Sequence, residues 1–110
     1  MKHRPLLLYF TTGLIVLMLV GCQPSPLERA ASHYQLHQDL ESLKQVMQLL
    51  PEGLDTTKVK QLLGKPIDFG FDYRYLTTEI GEQGCVIGAV FHLDNDLGQI
   101  HDYWLGEICE

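Results

Sequence analysis

The chain has 110 residues, a formal net charge of −6 and five histidines that add little positive charge at neutral pH. That length holds one small domain and excludes a catalytic cleft between domains. The acidic balance makes nucleic acid and bare anionic lipid poor partners.

Lys2, His3 and Arg4 form a basic start, and Leu6 to Val20 is a mostly apolar run of fifteen residues, shorter than the about 20 a membrane-spanning helix needs. Residues 1–21 therefore read as a secretory signal peptide. Leu19-Val20-Gly21-Cys22 resembles the lipobox of bacterial lipoproteins. That resemblance implies a diacylglyceryl group on the Cys22 sulfur, cleavage before it and acylation of the new amine. Each buried CH₂ contributes about 0.8 kcal/mol and a single chain holds only reversibly, so two or three chains make an anchor. The alternative is a cysteine that happens to follow a transmembrane anchor. Gln23 stands where an Asp would resemble an inner-membrane retention signal, which favours delivery to the outer membrane, facing the periplasm.

From Cys22 onward six Lys/Arg face fourteen Asp/Glu, a formal charge of −8. Residues 27–66 hold five of each sign, whereas residues 67–110 hold only Arg74 against nine acids. All the net negative charge lies in the second half, serving either solubility or the docking of a basic partner.

Residues 22–26 form a short lipidated tether before a domain over residues 27–110. Ser25, Pro26 and Glu28 carry the elements of an N-cap, an N1 proline and a capping box. A helix is expected from Pro26 to Leu50, its stripe formed by Leu36, Leu40, Leu43, Met47 and Leu50, with Leu27, Ala31 and Tyr34 extending it less regularly. Pro51 and Gly53 end it. A second, two-turn helix follows over Thr56–Leu63, capped by Asp55 and closed by Gly64 and Pro66, its inner edge Val59, Leu62 and Leu63.

After Pro66 the period falls to two: Ile67, Phe69, Phe71, Tyr73 and Tyr75 alternate with Asp68, Gly70, Asp72 and Arg74, predicting one strand. Thr77 to Gly84 has turn chemistry. Two further strands are expected over Cys85–Leu93 and Gln99–Ile108, joined by Asp94 to Gly98. The fold class is α+β, two helices packed on one face of a three-stranded antiparallel sheet in the order ααβββ.

The run Gly53-Leu54-Asp55-Thr56-Thr57-Lys58-Val59-Lys60-Gln61-Leu62-Leu63-Gly64-Lys65-Pro66 resembles the signature of the SmpA/OmlA lipoproteins. Asp55 takes the place of that family's capping Thr or Ser, and Lys58 that of its acid or amide. The aromatic strand and final hairpin sit where the family has them, so the resemblance extends from about Gly53 to the C-terminus. It implies a non-catalytic adapter at the periplasmic face of the outer membrane, in a family that includes a subunit of the β-barrel assembly machinery. The osmotically inducible lipoproteins are similar in carrying a cysteine at the start of the second strand and another near the end of the third.

With Cys22 lipidated, Cys85 and Cys109 remain as an even pair in an oxidising compartment, and a disulfide is expected. A hairpin that sets Cys85 opposite Cys109 also sets Ala89 opposite Leu105, Phe91 opposite Tyr103 and Val90 opposite Trp104. One face then bears Ile87, Ala89, Phe91, Leu93, Tyr103 and Leu105, the better core. The other bears Val90, His92, Asp102, Trp104 and Ile108. Val90 and Trp104 are the candidate partner surface if that face is uncovered; with a slipped register or a helix over it, Trp104 packs inward.

No catalytic, cofactor or metal site is expected. His33 and His37 lie one helical turn apart, but a metal site needs further ligands. His92 opposite Asp102 resembles a base and its orienting carboxylate, without a nucleophile placed by sequence to use them. Asp94-Asn95-Asp96 begins like a calcium loop but lacks its glycine and glutamate positions and reads as a hairpin turn. The expected function is a lipid-anchored adapter that binds an envelope protein. The alternative is a stress-related lipoprotein that binds a small molecule, lipid or cell-wall component through its aromatic strand.

Overall fold

The computed structural model describes residues 23–94 and 96–110. The expected signal peptide over residues 1–21, the expected lipid-attachment residue Cys22 and Asn95 lie outside the described residues. The elements are α1 (Pro26–His37), α2 (Leu40–Leu49), α3 (Thr56–Leu63), β1 (Ile67–Asp68), β2 (Asp72–Ile80), β3 (Val86–Asp94) and β4 (Gln99–Glu107). The α+β class holds. The count of two helices and three strands does not: among the described residues, three helices and a four-stranded antiparallel sheet of order β1-β2-β3-β4 replace it.

The first correction is to the long helix. Ser25 caps α1 by accepting from the Glu28 N–H, with Pro26 in the first turn, as the sequence predicts. Gln38 then takes a left-handed conformation, φ 52°, and its N–H closes on the Tyr34 carbonyl. Asp39 begins α2 as a new N-cap, accepting from the Ser42 N–H. The break is a matter of phase. At about 100° per residue, Leu40 falls some 240° around from Tyr34, so one straight helix cannot aim both stripes at one core. The bend lets Ala30, Ala31 and Tyr34 of α1 and Leu43 and Val46 of α2 reach the same interior, and Leu36, between the stripes, is left 79% exposed.

α3 forms as read: Asp55 accepts from the Lys58 N–H and Gly64 has φ 87°. Its last carbonyls find partners elsewhere, Leu62 from Gln35 Nε2 and Gly64 from the Tyr75 hydroxyl. Val59, Leu62 and Leu63 are buried as its inner edge.

The second correction concerns the aromatic strand. Gly70, φ 84°, turns the chain, and Asp68 Oδ1 accepts its N–H, so Ile67–Asp68 doubles back as β1 with Ile67 opposite Arg74. Only Tyr73 and Tyr75 then share the core face. Ile67, Phe69 and Phe71 are exposed. β2 also runs on through Thr77 to Ile80, where a turn was expected, with a register shift between Leu76 and Ile80; the turn itself is at Gly81 to Gly84.

The core joins these helices to odd-numbered strand positions. Tyr34, Leu43, Val46, Val59, Leu62 and Leu63 cluster with Tyr73, Tyr75, Ala89 and Phe91, and Leu93, Ile100 and Leu105 pack against them from the edge. Tyr34 and Tyr75 bring hydroxyls inside, and each is satisfied by donating to a carbonyl, of Leu76 and Gly64 respectively.

Candidate partner-binding face

The β3–β4 register is the one the sequence gives reason to expect: Ala89 faces Leu105, Val90 faces Trp104, Phe91 faces Tyr103 and His92 faces Asp102. A one-residue irregularity follows, so that Leu93 pairs with Ile100. Cys85 and Cys109 stand at disulfide distance at the open end of this hairpin, their Cα atoms 5.4 Å apart.

With the helices on the Tyr73/Tyr75 side, the even-numbered positions form the other face of the sheet. Across it run Ile67, Arg74, Val90 and Trp104, one from each strand. At 4.7–4.9 Å per strand this row spans about 14 Å. Trp104 is 41% exposed at one end and Ile67 and Phe69 are exposed at the other. Val90 does not share that exposure. It is 2% exposed, flanked by Arg74 and Trp104 on the neighbouring strands, and forms the floor of the face rather than a contact residue.

Arg74 organises the middle of this face. Its guanidinium lies over the Phe69 ring at 4.5 Å from the centroid, reaches Asp72 Oδ2 at 3.5 Å through Nη2 and pairs with the Glu110 carboxylate through Nη1. The one Lys or Arg of the second half is thus neutralised twice over, and among the described residues Asp72 Oδ1 and Arg74 Nε have no hydrogen-bond partner. The chain's end is laid over the same face: the Ile108 N–H donates to the Val86 carbonyl, and Ile108 approaches Gly88 so closely that a Cβ there would lie 3.1 Å from its Cδ1 and 2.5 Å from the Tyr75 carbonyl. Trp104 in turn leans along Gly106, at whose position a Cβ would lie 3.5 Å from the indole, in ordinary contact.

The remaining polar clusters do not assemble a reaction centre. Sequence reasoning missed that Ser42 and Asp39 both meet His33, Ser42 Oγ at 2.5 Å and Asp39 Oδ1 at 2.9 Å. Both reach the same ring nitrogen, Nδ1, and Ser42 Oγ also donates to Asp39 Oδ2. A relay needs the serine and the acid on opposite nitrogens, so this is the capping cluster of α2 and not a triad. Burial works against the Asp39 carboxylate, but hydrogen bonds from the Ser42 N–H, the Ser42 hydroxyl and His33 outweigh it and hold the group below its ordinary value. The cue was Asp39 three residues before Ser42, a cap signal inside an apparently continuous helix.

The His33 and His37 rings meet at a tilt of 43°, their centroids 4.4 Å apart. Among the described residues, the grouping of ligand-type side chains within metal-binding reach is Cys85, Glu107 and Cys109, whose two sulfurs sit at disulfide distance from each other. His92 and Asp102 face each other, with Asp72 opposite His92 on the next strand, but the serine lies elsewhere. No helix of the described residues is long and apolar enough to cross a membrane.

Compared with protein families, with curated proteins and with solved structures, the chain matches none.

Proposed function

We propose that this protein is a non-catalytic lipoprotein of the SmpA/OmlA type, anchored through Cys22 to the outer membrane, facing the periplasm and binding an envelope protein through its sheet. The observation that carries the binding part is a sheet that, among the described residues, has helices on one face only, while its other face bears exposed Trp104, Ile67 and Phe69 around a neutralised arginine. Exposed aromatic side chains and arginine are the residue types that protein interfaces use as anchors. The Leu19-Val20-Gly21-Cys22 run and the Gly53–Pro66 signature support the compartment and the family.

The small-molecule reading has in its favour a groove of about 590 Å³ between Tyr34, Gln38, Ile67, Tyr75 and Thr77, and a second of about 260 Å³ between Phe69, Leu76, Val86 and Ile108. The second is smaller than the roughly 300–1,000 Å³ of ligand pockets and has Glu110 and Arg74 at its rim, and in the first the Tyr34 and Tyr75 hydroxyls already donate to the Leu76 and Gly64 carbonyls. The adapter reading is therefore preferred. Its anchor is tested by labelling cells with radioactive fatty acid and fractionating their membranes. The expected result is label in the outer-membrane protein and none in a Cys22→Ala variant, which persists as a precursor. Normal processing of that variant would overturn the assignment.

A further inference from the structure

The sheet has two backbone edges, and the fold closes most of both. On the β2 side, β1 pairs with Tyr73 and Arg74; beyond it the Leu76 carbonyl accepts the Tyr34 hydroxyl at 2.6 Å, and the Thr78 N–H donates to the Gln38 carbonyl at 3.1 Å. On the β4 side, the segment before α3 takes the first residues: the Ile100 N–H donates to the Leu54 carbonyl at 3.0 Å, and the Thr56 N–H donates to the Gly98 carbonyl at 3.2 Å. Asp55 and Gln99 form the bridge between them.

What is left is the second half of β4. The Ile108 N–H donates to the Val86 carbonyl at 2.9 Å, so with this register the backbones of Asp102, Trp104 and Gly106 also turn toward β3. Tyr103, Leu105 and Glu107 present their N–H and C=O groups outward, and among the described residues nothing takes them up. Tyr103 and Trp104, both exposed, stand on either side of this edge. An unpaired edge of this length is a template for another strand.

Charge selects the occupant. From Tyr75 to Glu110 there are seven acids and no Lys or Arg, and Asp102 and Glu107 flank the open stretch. A second copy laid antiparallel on it would bring two such acidic sets together. We propose that the Tyr103–Glu107 edge of β4 receives an extended, basic segment of a partner protein as a fifth strand. Apolar residues of that segment lie beside Trp104 on one face and Leu105 on the other, and its cations lie near Asp102 and Glu107. This inference rests on the adapter reading and names how the partner is held.

The test measures amide hydrogen exchange of the full-length lipidated protein in detergent, with a synthetic peptide of alternating lysine and valine and with its glutamate counterpart. The lysine peptide should slow exchange at Tyr103, Leu105 and Glu107 by about tenfold or more, leave Asp102, Trp104 and Gly106 as they were, and lose this effect as salt is raised. The glutamate peptide should do nothing. Unchanged exchange at the three odd positions would overturn the inference. So would protection that grows with protein concentration in the absence of peptide, which would assign the edge to a second copy. Protein adducts cross-linked at Trp104 beside freely exchanging edge amides would remove the fifth strand and leave the adapter reading in place. Edge protection by the lysine peptide without any envelope adduct would support the fifth strand and remove the adapter.

Discussion

Opening the link between Cys85 and Cys109 should remove a large part of the domain's stability. The two residues are 24 apart in sequence, and the loop-closure relation gives about 3.5 kcal/mol of unfolded-state restriction at 25 °C for a loop of that size. Small domains have only about 5–15 kcal/mol in all. With about 4–8 °C of midpoint shift per kcal/mol in a domain of this size, the Cys85→Ala/Cys109→Ala double variant should melt about 15 to 25 °C lower. Replacing both residues avoids a stray thiol, and chemically reduced wild-type protein provides a second arm. The assay is thermal unfolding by circular dichroism at neutral pH, together with alkylation of the unreduced protein, which should find neither Cys85 nor Cys109 reactive. The variant should also loosen locally, because Cys109 sits between Ile108, which covers Gly88, and Glu110, which pairs with Arg74. A midpoint drop under about 5 °C, or two alkylatable thiols in the native protein, would refute the reasoning.

Phe91→Ala, at a position with no exposed surface, should destabilise by about 3–5 kcal/mol, whereas Trp104→Ala, which uncovers part of Val90, should cost less, about 1–2 kcal/mol in urea unfolding, while abolishing partner capture. Gly88→Ala should destabilise by about 2–4 kcal/mol because its Cβ would collide with the Tyr75 carbonyl, and a neutral outcome in urea unfolding would contradict the β2–β3 geometry. Burial pushes the Tyr34 phenol up from 10.0 to about 12 and raises Tyr75 in the same direction, with Tyr34 adding to the shift. A phenol harder to ionise when folded contributes stability that is complete below pH 10 and is lost as pH rises through 12, so tyrosinate absorbance and loss of circular dichroism should rise together there. Full tyrosine ionisation with the fold intact near pH 10 would contradict the buried hydroxyls.

Much of this was legible where the signal is local. α3 is bounded by a capping Asp55 and a Gly64 at positive φ, both adjacent to the residues they control. The β3–β4 pairing follows from two cysteines and an apolar alternation that agree on one register. The break between α1 and α2 was hidden because Gln38 adopts a positive φ without being a glycine, and the phase slip between the two stripes is visible only when they must share one core. The aromatic alternation read as one strand because a period of two continues unchanged through the tight Asp68–Gly70 turn, although the Asp and Gly were the turn chemistry. β2 beyond Tyr75 is held largely by backbone partners and by Thr77 Oγ1 donating to the Ile87 carbonyl, which leaves no apolar pattern to read. Val90 is buried on the uncovered face because a long arginine and an indole flank it, a consequence of neighbours that spacing alone does not reveal.

The role of the sheet face is tested most directly by placing a photoactivatable residue at position 104 and, separately, at Gln48, an exposed position on α2. In intact envelopes, irradiation at position 104 should give a discrete protein adduct at the outer membrane, and position 48 should give none. Adducts that are absent at 104, or equal at the two positions, would contradict the sheet face as the surface through which this protein works.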